Sequence, residues 1–296
     1  MDFKQIEAFI NVAKYKSFSK AAEATFLSQP TISSHISSLE KELKVMLFDR
    51  NGKDIRLTEA GKLFYEYAIN LVNIRDNAIS SLSLYDNRIC GKITIAASTT
   101  PCRFLLPEAI KSFSKLYNEV SYDIKEGSTQ YVVDQLISFN VDLGIVGDII
   151  DDCKLTYTNI FQDKLVLISN FDNLDENIDF KDLIKLPFIQ REDGSATRRI
   201  FEKKLYEIGF NVEDLNTVIN ANSLETVIQL VKSKIGVSIV SYYACKDLIE
   251  ANLLKYHTIN DLDIIRPIYL VYHNKKTLSP ASRAFIEHMK NIEFIT

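Results

Sequence analysis

Short hydroxyl side chains and one amide cluster at the start of a predicted helix in the N-terminal part of the chain. Gln29 and Pro30 open this helix, and Ser28 precedes them as a good N-cap. Proline is tolerated there because its missing N–H would have no helical partner. Hydroxyl and amide groups at a helix N-terminus can contact phosphates and base edges in the DNA major groove. The exposed face with these groups carries Gln29, Pro30, Thr31, Ser33, Ser34 and Ser37.

Taken alone, such a helix is as well explained by a solvated polar face, so its neighbours decide the interpretation. Two predicted helices precede it, the second starting after a predicted N-cap at Ser19. Asn51-Gly52 then indicates a tight turn between two short strands. This hairpin would be a wing with basic side chains for the phosphate backbone. Its basic residues are Arg50, Lys53 and Arg56. The assembly predicts a winged helix-turn-helix.

A second group of hydroxyl side chains follows predicted strands in the C-terminal part. Each group is explained singly as a helix cap, but several caps that meet in one cleft would form an anion pocket. We expect the pocket to be completed by an arginine. The predicted effector-binding residues are Ser98, Thr99, Thr100, Ser128, Thr129, Ser195, Thr197 and Arg198.

Catalysis and metal binding have little support in the sequence. It contains no GxGxxG, GxxxxGK[ST], GxSxG or HExxH motif, and its 4 histidines are dispersed. The 4 cysteines form no CxxC pair. We therefore expect neither an enzyme nor a bound cofactor.

Two further parts of the chain must position these groups. Residues 59–88 carry an apolar seam in steps of four and three, which is typical of a helix that pairs with another helix. The seam residues are Ala60, Phe64, Tyr67, Leu71, Ile74 and Ala78. From residue 91 onward, predicted strands and helices alternate, which indicates an α/β domain with a largely parallel sheet. Its length favours two subdomains with a cleft between them.

Composition agrees with a folded protein of two or three domains. The 296 residues are 46% hydrophobic and 25% charged, with a net charge of −4. The first 90 residues carry 12 Lys and Arg against 11 Asp and Glu, so charge alone does not indicate DNA binding. The start lacks the pattern of a signal peptide, and no run of about 18 apolar residues occurs. We expect a cytoplasmic protein with no membrane partner.

Five blocks in order across about 60 residues resemble the LysR-type transcriptional regulators. The blocks are FSKAA at 18–22, SQPTIS at 28–33, ISSLE at 36–40, LFDR at 47–50 and LTEAG at 57–61. The resemblance implies an N-terminal all-α winged helix-turn-helix with a dimerising linker helix. It also implies a C-terminal two-subdomain α/β effector domain resembling type 2 periplasmic binding proteins. One departure is Ser34, where the family often has arginine.

The resemblance also implies boundaries and partners. We expect a DNA-binding domain over 1–58, a linker helix over 59–88 and an effector domain over 91–296. Subdomain I would comprise about 91–163 and 268–296, and subdomain II about 164–267. The expected partners are double-stranded DNA with an interrupted dyad, a small anionic effector, and the chain itself as a homodimer or homotetramer.

Residues 97–100 and 191–198 resemble most the subgroup of the family associated with sulfur metabolism, which implies a small oxyanion or organic acid as effector. Two rival classes remain open at this point. One is a transport-type solute-binding protein, and the other is a small-molecule-processing α/β enzyme with an appended helical module.

Overall fold

The computed structural model of the chain describes residues 1–49, 55–82, 88–260 and 262–294. These residues form two compact units. The first unit comprises Met1–Ile89 with Lys275–Pro280, and the second comprises Cys90–Asn274 with Ala281–Thr296. Within the described ranges, no helix has the length and apolar character needed to cross a bilayer.

The described part of the first unit consists of helices and a short antiparallel hairpin. The elements are α1 (Phe3–Tyr15), α2 (Phe18–Ala24), α3 (Gln29–Leu43), β1 (Phe48–Asp49), β2 (Arg56–Leu57) and α4 (Glu59–Leu82). The cap of α2 is Ser17, which accepts from the N–H of Lys20, and the prediction of Ser19 was wrong. Ser19 lies inside the first turn because Phe18 already has helical geometry.

The first unit is held together by an aromatic and aliphatic core. Phe9 of α1 is fully buried, and its ring centroid lies 5.3 Å from that of Phe48 and 5.1 Å from that of Phe64. Gly61 lets α4 approach this core closely, since an added Cβ would come within 2.1 Å of the Leu47 carbonyl oxygen. The glycine of the LTEAG block is therefore required by packing.

The second unit alternates strands and helices, as the sequence predicts. Its N-terminal elements are β3 (Gly91–Ser98), a π-helical turn (Pro101–Leu105), α5 (Leu106–Leu116), β4 (Val120–Gly127), α6 (Thr129–Ile137) and β5 (Leu143–Val146). Then follow β6 (Leu155–Ser169), β7 (Asn177–Ile178), α7 (Phe180–Leu183), β8 (Phe188–Arg191), α8 (Ala196–Glu207) and β9 (Thr217–Ala221). The last are α9 (Leu224–Lys232), β10 (Ser238–Ser241), α10 (Lys246–Glu250), β11 (Lys255–Ile259), β12 (Ile264–His273) and α11 (Pro280–Asn291).

The main sheet of this unit is mixed, and the expectation of a largely parallel sheet was wrong. Its strand order is β4-β3-β5-β12-β6-β11-β7, with β10 also pairing with β6. β3 is parallel to β4 and β5, but β12 runs antiparallel to both β5 and β6. The reason is that β12 returns along β6 as a direct partner, which places antiparallel pairs in the middle of the sheet.

Two subdomains share these long strands. In one, Val132 and Leu136 of α6 pack with Ala96 of β3. In the other, β8 and β9 form a separate parallel pair, and Phe201 of α8 packs on Phe188 of β8. The 15-residue β6 and the 10-residue β12 contribute residues to the cores of both subdomains. They are therefore the structural connection between the two.

Candidate functional site

The first turn of α3 is organised by the Ser28 cap. The Ser28 hydroxyl oxygen accepts from the N–H of Thr31, and it lies 2.8 Å from the Thr31 hydroxyl. Thr31 is therefore engaged in the cap, whereas Gln29 and Pro30 are exposed. The side-chain amide of Gln29 and the ring of Pro30 are thus exposed to solvent at the start of the helix.

Beyond this tip, the predicted polar face of α3 lies opposite the core. Ile32, Ile36 and Leu39 are fully buried. Of the predicted DNA contacts on the other side, Ser34 and Ser37 are exposed and Ser33 is half-buried. The helix can therefore enter a groove with small polar side chains foremost.

The hairpin after α3 is positioned by Glu40. Its buried carboxylate accepts from the backbone N–H groups of Leu47 and Phe48 at 2.8 and 3.2 Å. Arg56 on β2 lies opposite Asp49 of β1 and is exposed. The other two predicted wing contacts, Arg50 and Lys53, lie outside the described residues.

In the second unit, a cavity of about 310 Å³ is lined by residues from both subdomains. Its lining includes seven of the eight predicted effector-binding residues. These are Ser98, Thr99, Thr100, Ser128, Thr129, Ser195 and Thr197. Topology explains the convergence, since β3 and β4 are parallel and in register where they end, with Ser98 opposite Gly127. Both strands therefore deliver their following hydroxyls to one edge of the sheet.

The N-termini of two helices, α6 and α8, lie at this cavity. Ser128 caps α6 by accepting from the N–H of Tyr131, and Ser195 caps α8 by accepting from the N–H of Arg198. Gly194, with a φ of +89°, makes the left-handed turn that leads into the second cap. First-turn amides carry the positive end of the helix dipole, so both helix starts favour a negatively charged group.

Thr129 is the most informative hydroxyl of the cavity. Its side chain is only 1% exposed, and its Oγ1 has no hydrogen-bond partner among the described residues. A buried hydroxyl without a partner costs free energy, so such groups usually serve a bound molecule or water. The Thr129 hydroxyl is therefore unpaired in the wall of the cavity, whereas the hydroxyls of Ser128 and Ser195 are engaged as helix caps.

The formal charges around the cavity are matched in pairs. Arg191 donates from Nε and Nη2 to the carboxylate of Glu192, both at 2.8 Å. The buried Arg266 pairs with the buried Asp163, and its Nη1 donates to the Thr197 hydroxyl at 2.8 Å. These arginines are thus already neutralised by the protein.

The acidic lining residues are paired in the same way. Glu126 accepts from Nε of Arg103 at 3.2 Å, and Asp193 lies 2.6 Å from Nη1 of Arg198. With these charges balanced, the attraction for a negative ligand comes from the helix N-termini and the neutral hydroxyls.

Two family profiles match nearly the whole chain. Residues 3–62 match a bacterial regulatory helix-turn-helix protein of the lysR family, and residues 86–292 match the LysR substrate binding domain. The chain belongs to the LysR family of transcriptional regulators. Proteins of this family bind DNA and form oligomers, and they are not enzymes. A transport-type solute-binding protein has no use for an N-terminal helix-turn-helix, so the match over residues 3–62 argues against that alternative.

Individual relatives match this chain over most of their own length. The chain is 34% identical over 289 residues to an uncharacterized HTH-type transcriptional regulator, MJ0300, of Methanocaldococcus jannaschii, covering 97% of each chain. It is 30% identical over 280 residues to a probable RuBisCO transcriptional regulator of Cyanidium caldarium, covering 91% of this chain and 87% of the relative.

Among solved structures, the fold is similar to that of a full-length OxyR variant from Pseudomonas aeruginosa. The TM-score is 0.74 at 19% identity, covering 98% of this chain and 94% of that chain. This similarity supports the fold, in which a helix-turn-helix is followed along the chain by two α/β subdomains.

One predicted effector residue of this LysR-family chain contacts the lining residue Asp193 without lining the cavity itself. Arg198 does not belong to the cavity lining. Its Nε donates to Glu202 at 2.7 Å and its Nη1 to the carbonyl oxygen of Arg191 at 3.0 Å. The physical reason is the helical i, i+4 spacing of Arg198 and Glu202, which draws the guanidinium along α8.

Other lining residues were not foreseen from the sequence. They are Glu126, Gly127, Arg191, Glu192, Asp193, Gly194, Ala196, Asn222 and Arg266. Most of these residues are neighbours in sequence of the predicted hydroxyl residues, so the prediction could have included them. Arg266 could not, because it is brought to the cavity by its pairing with Asp163 across β12 and β6.

Proposed function

We propose that this LysR-family regulator binds an interrupted dyad operator as a homo-oligomer and senses a small anionic metabolite. The observation that carries the anionic assignment is the cavity of the second unit. Two helix N-termini and the unpartnered Thr129 hydroxyl meet there, while the neighbouring arginines are paired with carboxylates. Neutral donors of this kind favour a compact anion.

The size of the cavity supports a small effector. About 310 Å³ is at the lower limit of ordinary ligand pockets, so a group such as sulfate, phosphate or a short carboxylate fits the space better than a nucleotide.

Within this class, we propose a sulfur-related oxyanion or organic acid. The support is the resemblance of residues 97–100 and 191–198 to the sulfur-associated subgroup, and both segments contribute to the cavity. A phosphate-type effector is the second candidate. Phosphate belongs in the same test because helix N-termini and neutral hydroxyls bind compact oxyanions of either kind.

The effector assignment is tested by replacing Thr129 with valine, which removes the unpartnered hydroxyl and keeps the shape. Calorimetric titration of the full chain would use sulfate, sulfite, thiosulfate, O-acetylserine and phosphate. We expect one compound to bind, and Thr129→Val to weaken it about tenfold or more, since hydrogen bonds to charged groups are worth about 1.5–3 kcal/mol. The free energy of unfolding should be unchanged or higher, because the substitution removes a buried hydroxyl that has no hydrogen-bond partner.

Thr217→Val is the matched control, since Thr217 is exposed on β9 and does not line the cavity. A footprint on the DNA upstream of the gene, with and without the compound that binds, then tests the regulatory step. Binding of none of the five compounds, or equal binding to the Thr129→Val variant, would contradict the anion site. A footprint that ignores the bound compound would contradict the sensing step alone.

A further inference from the structure

The turn that joins α2 to α3 carries an aromatic side chain that the free protein does not use. The Phe26 side chain is 96% exposed, the highest value among the large apolar residues of the described chain. Burying a phenylalanine is worth about 1.5–3 kcal/mol, and this ring gains almost none of it. Since no contact among the described residues of the unit explains this exposed ring, we looked for a partner that would cover it.

The backbone at Phe26 also favours another residue type. Its φ is +55°, in the left-handed region that ends a helix. The N–H of Leu27 donates to the carbonyl of Ala22 at 2.9 Å, and the N–H of Phe26 donates to Glu23 at 3.2 Å. Glycine or asparagine usually occupies this position, because a left-handed conformation costs a bulky L-residue about 1–2 kcal/mol.

Other left-handed positions of the described chain show what such a turn normally carries. The polar examples are Lys16, Lys44, Lys234 and Asn252. Phe139 is the other aromatic case, but it is only 6% exposed, and its ring centroid lies 4.3 Å from that of His273. Packing offsets the strain at Phe139. At Phe26 neither polarity nor packing does so.

The location of Phe26 identifies the partner. It lies two residues before Ser28, the cap of α3, and Leu27 between them is 43% exposed. Gln29 and Pro30 follow at the exposed tip of the helix. The apolar turn and the polar helix tip are therefore adjacent along the chain, and both lie within the residues that match the helix-turn-helix profile of this DNA-binding family.

We propose that Phe26 is a sequence-reading residue of the DNA interface and contacts thymine 5-methyl groups in the major groove. A phenylalanine ring is a suitable group for this contact, because the methyl group is the one apolar feature of base edges in that groove. The turn places the ring beside the polar tip of α3. Phe26 would thus add selection for A·T pairs next to the positions read by Gln29 and Ser33.

The test is Phe26→Asn, which suits the left-handed turn and removes the apolar ring. The probe is a duplex obtained from random-sequence DNA by selection with the wild-type full chain. We expect the melting temperature to stay constant or rise, while affinity for the selected duplex falls about tenfold. Affinity for unrelated DNA and the dependence of binding on salt should not change, since no phosphate contact is lost.

Thymine replacement provides the decisive measurement. Each thymine of the selected duplex is replaced by deoxyuridine, which removes only the methyl group. At one or two positions per half-site, this replacement should weaken wild-type binding and leave Phe26→Asn binding unaffected, because the two changes remove the same contact. Phe26→Leu, which stays apolar, should retain part of the sensitivity.

Tyr206→Ala is the control, since Tyr206 is a 76% exposed aromatic residue on α8 of the second unit. It should bind every duplex as the wild type does. Unchanged affinity of Phe26→Asn for the selected duplex would overturn the proposal. It would also be overturned if, at every thymine, the losses of affinity caused by deoxyuridine and by Phe26→Asn simply added together. Loss of the oligomer in sedimentation of Phe26→Asn would also overturn it, because the ring would then pack on a second copy.

Discussion

At the scale of single residues, the wall of the effector cleft depends on a buried ion pair. Arg266 and Asp163 are 2% and 1% exposed, and Ser241 donates to Asp163 at 2.8 Å. A buried pair seldom stabilises a fold more than apolar residues of the same volume would. Its role here is therefore positional, since Arg266 also holds the Thr197 hydroxyl at the start of α8.

We expect Asp163→Asn to destabilise the second unit strongly. The substitution leaves the buried Arg266 guanidinium without its counter-charge, which typically costs about 3–5 kcal/mol. Urea unfolding of the full chain measures the change. The control is Asp263→Asn, since Asp263 is 66% exposed and lies 3.7 Å from the exposed Lys164. This control should unfold as the wild type does, and equal urea midpoints for both variants would contradict the argument.

At the scale of elements, the predicted apolar seam of α4 consists of two sets of residues, one packed within its own unit and one exposed. Phe64 and Leu71 pack on the core of their own unit. Tyr67 and Ile74 are 61% and 50% exposed, and Leu63, which the seam did not include, is 62% exposed. A step-of-four-and-three pattern identifies apolar positions but not which of them a short neighbouring helix covers. The exposed stripe is the surface we expect a second copy to bury.

Ile74→Glu tests this surface by placing a charge in the middle of the stripe. We expect sedimentation to show a shift from oligomer to monomer, because an unpaired carboxylate in an apolar interface is costly. Tyr206→Glu, at a more exposed aromatic site of the second unit, serves as the control and should stay oligomeric. An intact oligomer for Ile74→Glu would place the contact elsewhere.

At the scale of the whole molecule, the proposed regulation is a coupling between two binding reactions. A ligand shifts DNA binding only if the DNA-bound and free arrangements differ in their affinity for it. Linkage then requires that operator DNA change ligand affinity by the same factor. The coupling is therefore measurable without knowledge of the structural path between the units.

We expect this reciprocity for whichever of the five compounds binds. Calorimetric titration is performed with the free protein and with the protein saturated with its selected duplex, and affinity for the duplex is measured with and without the compound. The two ratios should agree, typically at about 5- to 150-fold. Unequal ratios, or ratios of one, would show that occupancy of the cleft is not coupled to DNA.

The sequence by itself determined the features that depend on neighbouring residues. Helix starts such as Ser28, Ser128 and Ser195 are local, because a capping side chain bonds an N–H three residues ahead. Family blocks such as SQPTIS are contiguous and can be identified without coordinates. For the same reason, the hydroxyls of the cleft followed from strand ends and caps, and seven of the eight predicted effector residues line one cavity.

Tertiary structure alone decided which distant groups meet. Arg266 and Asp163 are 103 positions apart, and their contact exists because β12 returns antiparallel along β6. The hydrogen bond from Nη1 of Arg198 to the carbonyl oxygen of Arg191 likewise exists only because α8 is packed beside β8. Local patterns specify the ends of elements, whereas long-range pairing and packing select the partners of charges, and these partners determine the electrostatics of the cleft.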